Sequence, residues 1–156
     1  MKRVPLTKGK IALIDDEDFE IVSQLKWYAN EVGNSTYALA FRGGKGVLMH
    51  RLLLGTPGKM KVDHKDGDGL NNQKSNIRLC TTSQNGMNRR PSSIKGKTSR
   101  FKGVTWEKYE NKWGADLYIK GKHISLGNHE KEVEAARSYN EGALKFFGEF
   151  ARLNII

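Results

Sequence analysis

Apolar and polar positions alternate in short runs along the first half of the chain. Residues 11–14, 37–41 and 47–50 are apolar or β-branched and are parted by Gly-Gly, Gly-Asn-Ser and acidic turns, so each is a predicted strand. Between the first two, DEDFEIVSQLKWY sets Phe19, Val22, Leu25 and Trp27 at roughly helical spacing, which predicts a short helix or an irregular turn. Further on, Val62-Asp63-His64 ends a strand, a polar loop runs to Asn76, and Ile77–Cys80 is a second short strand. Thr81-Thr82-Ser83-Gln84 then has the spacing of a capping box and opens a helix that carries Asn85 and Asn88.

From Arg89 to Ser99 the text RRPSSIKGKTS is basic, aperiodic and punctuated by Pro91 and Gly96, the composition of a linker. Beyond it the pattern becomes regular: three strands over 102–108, 113–120 and 122–127, then a helix over 131–147. In the second strand Trp113, Ala115, Leu117 and Ile119 alternate with Gly114, Asp116, Tyr118 and Lys120, so one face is buried and one is wet. Lys120-Gly121-Lys122 suits a tight hairpin with Gly121 at positive φ. Val133, Ala136, Tyr139, Ala143 and Phe147 form a helical stripe that would cover the apolar face of the sheet, with Gly148 just past the helix end. Trp106 and Trp113 share the phase of Val104 and Ala115, which favours core packing for both.

Charge narrows the partners. The 156 residues carry a formal net charge of +10, which draws a polyanion, nucleic acid above all, without implying sequence specificity. A single cysteine, Cys80, excludes an intrachain disulfide and a zinc site built on paired cysteines, and fits a reducing compartment. No apolar run is long enough to span a membrane, and the apolar stretch after Met1-Lys2-Arg3 is too short for a signal peptide, so the expected location is the cytoplasm.

The stretch VDHKDGDGLNNQKSNIRLCTTSQN is where chemistry concentrates. As a calcium loop it would place Asp66, Asp68 and Gly69 well, but it puts His64 and Ser75 where an acid and a bidentate glutamate are needed. As a zinc site it lacks clustered histidine and thiolate ligands. As a bare surface loop it is explained by its turn residues alone. A fourth reading uses the order strand, loop, strand, helix. If the first strand faces the helix, Asp63 and Asn85 offer two oxygen ligands to one hard cation, magnesium or manganese, and His64 is left as a base for water. On this reading Asp66, Asp68, Asn71 and Asn72 only form the loop, and Asn88 supports the helix.

His64, Asn76 and Asn85, with the N-I-R-L-C-T run between the two asparagines, resemble the HNH endonucleases, also called His-Me finger or ββα-metal nucleases; MHRLLLG and the opening VPLTKGKIALIDDEDF resemble small HNH proteins common in phage genomes. The resemblance covers about the first ninety residues. It implies that His64 is the general base activating the attacking water, that Asp63 and Asn85 are the metal ligands for Mg2+ or Mn2+, and that Asn76 braces the loop and orients His64. His50 has two readings, contact with the scissile region or an anchor for its strand. Arg89 and Arg90 are placed to hold phosphates after the helix.

In the second half, Phe101-Lys102-Gly103-Val104, KWGADLYIKGKHISLGNH and EAARSYNEGALKFFGEFARLN resemble the ethylene-response-factor or APETALA-type DNA-binding domain over nearly all of residues 100–156. The resemblance implies a three-stranded antiparallel sheet in the DNA major groove with a helix packed behind it. Its contact face falls on Lys102, Thr105, Glu107, Asp116, Tyr118, His123 and Ser125, where the plant domains carry more arginine and tryptophan, so base preference does not transfer. Lys108, Lys120 and Lys122 suit phosphate contacts.

The expected fold class is therefore α+β: an HNH nuclease domain of the ββα-metal type over 1–90, a linker over 91–99, and a three-stranded antiparallel sheet packed on one helix over 100–156. The expected activity is a metal-dependent endonuclease of homing or phage type, in the cytosol of a bacterial host, acting on double-stranded DNA. A monomer would nick one strand and a homodimer could cut both. The alternatives are a non-catalytic DNA-binding regulator with a relic HNH fold, and a nuclease acting on RNA or with little sequence preference.

Overall fold

Tight turns with positive φ set the topology of the first half. At Gly43 and Gly44 the backbone has φ of 57° and 73°, the left-handed pair that a two-residue hairpin needs to match strand twist. It joins β4 (Ser35–Arg42) to β5 (Lys45–Leu48). The computed structural model describes residues 1–55, 58–90 and 96–156, so residues 91–95 of the expected linker lie outside the described residues. The chain divides into two compact units, Met1–Asn85 and Gly86–Ile156. Both mix helices with small antiparallel sheets, an α+β class.

In the first unit β1 (Lys2–Pro5) pairs with β2 (Ile11–Ile14), and β3 (Tyr28–Val32) adds to β4 and β5 in the order β3-β4-β5. Val4, Leu6, Ala12, Ile14, Val22, Trp27, Ala38, Ala40 and Met49 form the core. The segment expected as a helix or turn forms α1 (Phe19–Ser23), five residues long. Of its spaced apolar positions Val22 and Trp27 are buried, whereas Phe19 remains 45% exposed. The Trp27 indole N–H donates to the Val22 carbonyl at 2.8 Å, so the large ring is buried without orphaning its donor.

The strand expected over 47–50 needs correction. β5 ends at Leu48, and His50 lies in α2 (Met49–Leu54). Met, Arg and three leucines are strong helix formers, and Gly55, at φ 54°, closes the helix with a left-handed cap. Then β6 (Lys61–His64) pairs antiparallel with β7 (Ile77–Cys80), with Asp63 opposite Arg78 and His64 opposite Ile77. A short helix, α3 (Thr82–Met87), follows.

The second unit contains β8 (Val104–Glu107), β9 (Lys112–Ile119) and β10 (Lys122–His129) in the order β10-β9-β8, with α4 (Glu132–Phe147) against them. Lys120 and Gly121 both take positive φ, 49° and 79°, in the turn between β9 and β10. Phe101, Val104 and Ala115 pack on Ala135 and Ala136, and Leu117 packs with Tyr139, Ala143 and Phe147. The helix stripe is therefore shifted from the expected one. Val133 is exposed, and Ala135 and Gly142 take part in its place. Small residues let the helix approach the sheet: a Cβ on Gly142 would sit 2.6 Å from Leu126. Trp113 packs at the edge of this core, but Trp106 does not join it. The two rings meet across the strands, edge to face, with centroids 5.0 Å apart.

Candidate functional site

Alternation along β6 would send Asp63 and His64 to opposite sides of the strand, and both are buried. On Asp63, Oδ2 accepts Nε and Nη2 of Arg78 at 3.0 and 2.8 Å, an ion pair between directly opposed residues in the ladder. Both side chains are shielded from water, so the guanidinium neutralises a carboxylate that burial would otherwise penalise.

The loop from Lys65 to Asn76 is organised around one carboxylate. Asp66 Oδ1 accepts the Asp68 N–H at 2.8 Å and the Asn76 amide at 3.0 Å, while Oδ2 accepts the Asn71 amide at 2.8 Å. Asn76 also donates to the Asn71 carbonyl at 2.8 Å and accepts the Asp66 N–H at 3.1 Å. Burial would raise the Asp66 pKa, but these donors outweigh it and hold the carboxyl below its ordinary value. Asn76 thus ties both ends of the loop together beside His64. Asp66 is the hub, although its sequence suggests only a turn residue.

The loop is also fastened from outside. Leu13 in β2 donates to the Leu70 carbonyl and accepts the Asn72 N–H, each at 2.8 Å, and Asp15 accepts the Lys74 N–H at 2.7 Å and the Gln73 amide at 3.2 Å. Gly69 packs so closely on β4 that a Cβ there would lie 2.5 Å from the Thr36 carbonyl oxygen.

His64 is held from several sides. Asn72, fully buried, lies with Oδ1 3.3 Å from His64 Nε2. Because the Asn72 amide nitrogen donates to the Leu70 carbonyl, its oxygen faces the ring, and the bond requires a proton on Nε2, leaving the lone pair on Nδ1. The His50 ring meets His64 edge to face at 5.0 Å, and Tyr37 lies 5.7 Å from His50 and 6.0 Å from His64. Burial lowers the pKa of both histidines, His50 to about 3, where the charges of His64 and Arg51 act the same way. Both rings are neutral at neutral pH. His50 Nδ1 is buried with no hydrogen-bond partner.

Asn85 lies in the first turn of α3 and is half-buried. Its position follows from a capping box: the Thr81 hydroxyl accepts the Gln84 N–H at 3.2 Å, and the Gln84 side chain accepts the Thr81 N–H at 2.9 Å. Arg89 and Arg90 follow, both exposed.

In the second unit Thr105, Asp116, Tyr118, His123 and Ser125 share the wet face of the sheet, since Tyr118 is opposite His123 and Asp116 opposite Ser125. His123 Nε2 lies 2.8 Å from Asp116 Oδ1. Lys108, Lys120 and Lys122 are exposed in or beside the turns. Lys102 departs from the expected contact face: it lies before β8, half-buried, with its ammonium donating to the Met87 carbonyl. The missed residues are Asp66, Asn72 and Arg78. Only the apolar neighbourhood of NIRLC could have hinted that Arg78 turns inward, and Asn72 reads as a turn residue.

Comparison with known proteins places this geometry. A family model described as HNH endonuclease matches residues 47–87, the span from β5 through α3. The chain is 36% identical over 155 residues to an uncharacterized HNH endonuclease of Acanthamoeba polyphaga mimivirus, covering 96% of this chain and 77% of that protein. It is 30% identical over 91 residues to Protein 3.8 of Escherichia phage T7, covering 58% of this chain and 73% of that protein. A shorter likeness, 32% over 62 residues, is to the AP2-like ethylene-responsive transcription factor TOE2 of Arabidopsis thaliana, covering 40% of this chain and 13% of that protein. No solved structure matches the chain.

Proposed function

The chain belongs to the HNH endonuclease family, a nuclease acting on DNA, and on that premise we propose that it is a metal-dependent phosphodiester hydrolase that nicks duplex DNA, with His64 as its general base. What supports this reading most is the state of His64: a buried, neutral imidazole fixed through Nε2 by Asn72. In that tautomer Nδ1 takes the proton from the attacking water, and burial keeps the ring unprotonated and ready at neutral pH. Asn76 acts one step back, closing the loop around Asp66 so that the end of β6 keeps its geometry. Tyr37 and His50 wall the ring against rotation.

The donor set fits a hard cation. Asp63 and Asn85 offer oxygen only, and the described residues contain no group of three or more His, Cys, Asp and Glu arranged to hold a metal. Magnesium and manganese suit such a site, since magnesium is commonly held by one or two side-chain oxygens with water and substrate phosphate completing its shell. When bound, the ion would supply charge neutralisation at the phosphoryl oxygens and at the leaving 3′ oxygen. Arg78 orients the Asp63 carboxylate before any cation arrives.

The same proposal gives residues 1–90 the nuclease chemistry and residues 100–156 the hold on duplex DNA, through a sheet of the ethylene-response-factor type lying in the major groove. Thr105, Tyr118, His123 and Ser125 would face base edges, and Lys108, Lys120 and Lys122 phosphates. A supercoiled plasmid incubated with the protein and Mg2+ should convert to open circle, and EDTA should abolish the conversion. Equal conversion with and without chelator would contradict metal dependence, and no conversion at all would contradict the nuclease reading.

A further inference from the structure

Near the tip of the β4–β5 hairpin in the first unit, aromatic and basic side chains share one surface. Phe41 is 61% exposed, and its ring meets Tyr28 of β3 edge to face, with centroids 6.3 Å apart. The Lys26 ammonium lies 5.8 Å from the centre of the Tyr28 ring. Gly46 is paired opposite Phe41 and leaves the flank of its ring bare, since a Cβ there would come within 4.0 Å of that ring and 3.3 Å of Leu39. The Gly46 backbone takes no positive φ, so its conformation does not demand glycine. A glycine inside a strand often marks a place where a ligand approaches closely. One pair further on, Arg42 and Lys45 stand directly opposite each other, both exposed. Like charges so placed destabilise a hairpin, and neither side chain has an ion-pair partner among the described residues. The family match over residues 47–87 begins just beyond this tip.

We propose that this hairpin tip docks on duplex DNA beside the cleaved bond, with Phe41 and Tyr28 against the deoxyribose wall of a groove and Lys26, Arg42 and Lys45 on the flanking phosphates. The proposal rests on the reading of the chain as a DNA nuclease. Position supports this occupant. Tyr37 and Phe41 lie on the same face of β4, and the Tyr37 ring packs beside His50 and His64. Four residues of strand span about 13 Å, roughly four base steps of duplex, so DNA held at His64 comes within reach of the tip. Charge supports it too. Phosphates turn the repulsion between Arg42 and Lys45 into attraction, while the sugar carbons cover the rings. A second copy of the chain, meeting this patch through a twofold axis, would instead bring its own cations against these.

The test uses the full chain in EDTA and a fluorescein-labelled DNA duplex, with affinity followed by anisotropy across a salt series. Removing one cation from a phosphate should flatten the slope of log affinity against log salt by about 0.9. Arg42→Gln and Lys45→Gln are each expected to flatten it by that amount. Phe41→Ala removes apolar burial and no charge, so it should weaken binding by about 5- to 30-fold at every salt concentration and leave the slope unchanged. Phe41→Leu should recover part of that loss. Arg42 and Lys45 are exposed at the turn, so their variants report on the tip even if Phe41→Ala loosens the hairpin.

Wild-type slopes in both glutamine variants, together with wild-type affinity in Phe41→Ala, would overturn the docking site. So would light scattering that shows a wild-type dimer dissolved by Phe41→Ala with DNA affinity unchanged, because the patch would then belong to a second copy of the chain. A wild-type chain that binds no DNA would overturn the nuclease reading itself, and the docking site with it.

Discussion

Asn72 and His64 meet in the interior of the first unit, the carboxamide oxygen 3.3 Å from Nε2 of the imidazole. The contact decides which ring nitrogen keeps its lone pair. Asn72→Ala removes that constraint and leaves the Leu70 carbonyl without its side-chain donor. The nicking rate should fall about 10- to 100-fold, the loss usual for a residue that orients a catalytic group, and stability by about 1–3 kcal/mol. Plasmid nicking and urea melts check the two effects. A variant that loses stability but nicks at the wild-type rate would show that the contact is only structural.

The Arg78 and Asp63 pair predicts an asymmetry. Arg78→Ala leaves a buried carboxylate uncompensated and should destabilise the fold by about 3–5 kcal/mol, whereas replacing both residues with apolar ones of similar volume should cost far less. Denaturant midpoints of the single and double variants measure this. Equal losses would mean that the pair is worth its Coulomb attraction alone. The double variant should also lose nicking, because Asp63 is a proposed metal ligand.

The buried histidines predict the acid limb of stability. His50 is shifted from 6.5 down to about 3, and burial also lowers His64. The unfolded chain binds these protons more readily than the folded one, so stability is full above about pH 6.5 and falls as pH drops from there toward 3. The melting temperature should decline across that window, and His50→Phe should make the decline shallower. An identical pH profile in the variant would contradict the burial of a neutral His50.

In the second unit Gly103 has φ 69°, and a Cβ there would lie 2.1 Å from the Tyr139 ring. Gly103→Ala should therefore cost several kcal/mol, combining overpacking with a left-handed backbone that resists a side chain, about 1–3 kcal/mol for each. Thermal unfolding checks it. A change within about 0.5 kcal/mol, as at an ordinary surface position, would rule out this close approach.

Legibility in the sequence followed the physics of each segment. β7 and the capping box of α3 were readable because Ile77–Cys80 is a short apolar run and Thr81 and Gln84 stand three apart. β9 was readable because its alternation is strict. By contrast, β1 is written KRVP and β3 YANEV, with too few apolar positions to signal strands that pairing nonetheless secures. The strand expected at His50 failed because Val47 alone favoured it, while MHRLLL favours a helix. Asn72 and Asp66 escaped notice because asparagine and aspartate in a Gly-rich stretch look alike whether they face water or fasten a loop. Only tertiary contacts separate the two.

The central claim is that His64 is the base. The most direct test is the initial rate of supercoiled plasmid nicking by the wild-type protein and by His64→Ala at equal concentration in Mg2+, with both confirmed folded by thermal melting. Loss of a general base predicts a fall of about 10²- to 10⁴-fold. A His64→Ala protein that nicks as fast as wild type would contradict the account.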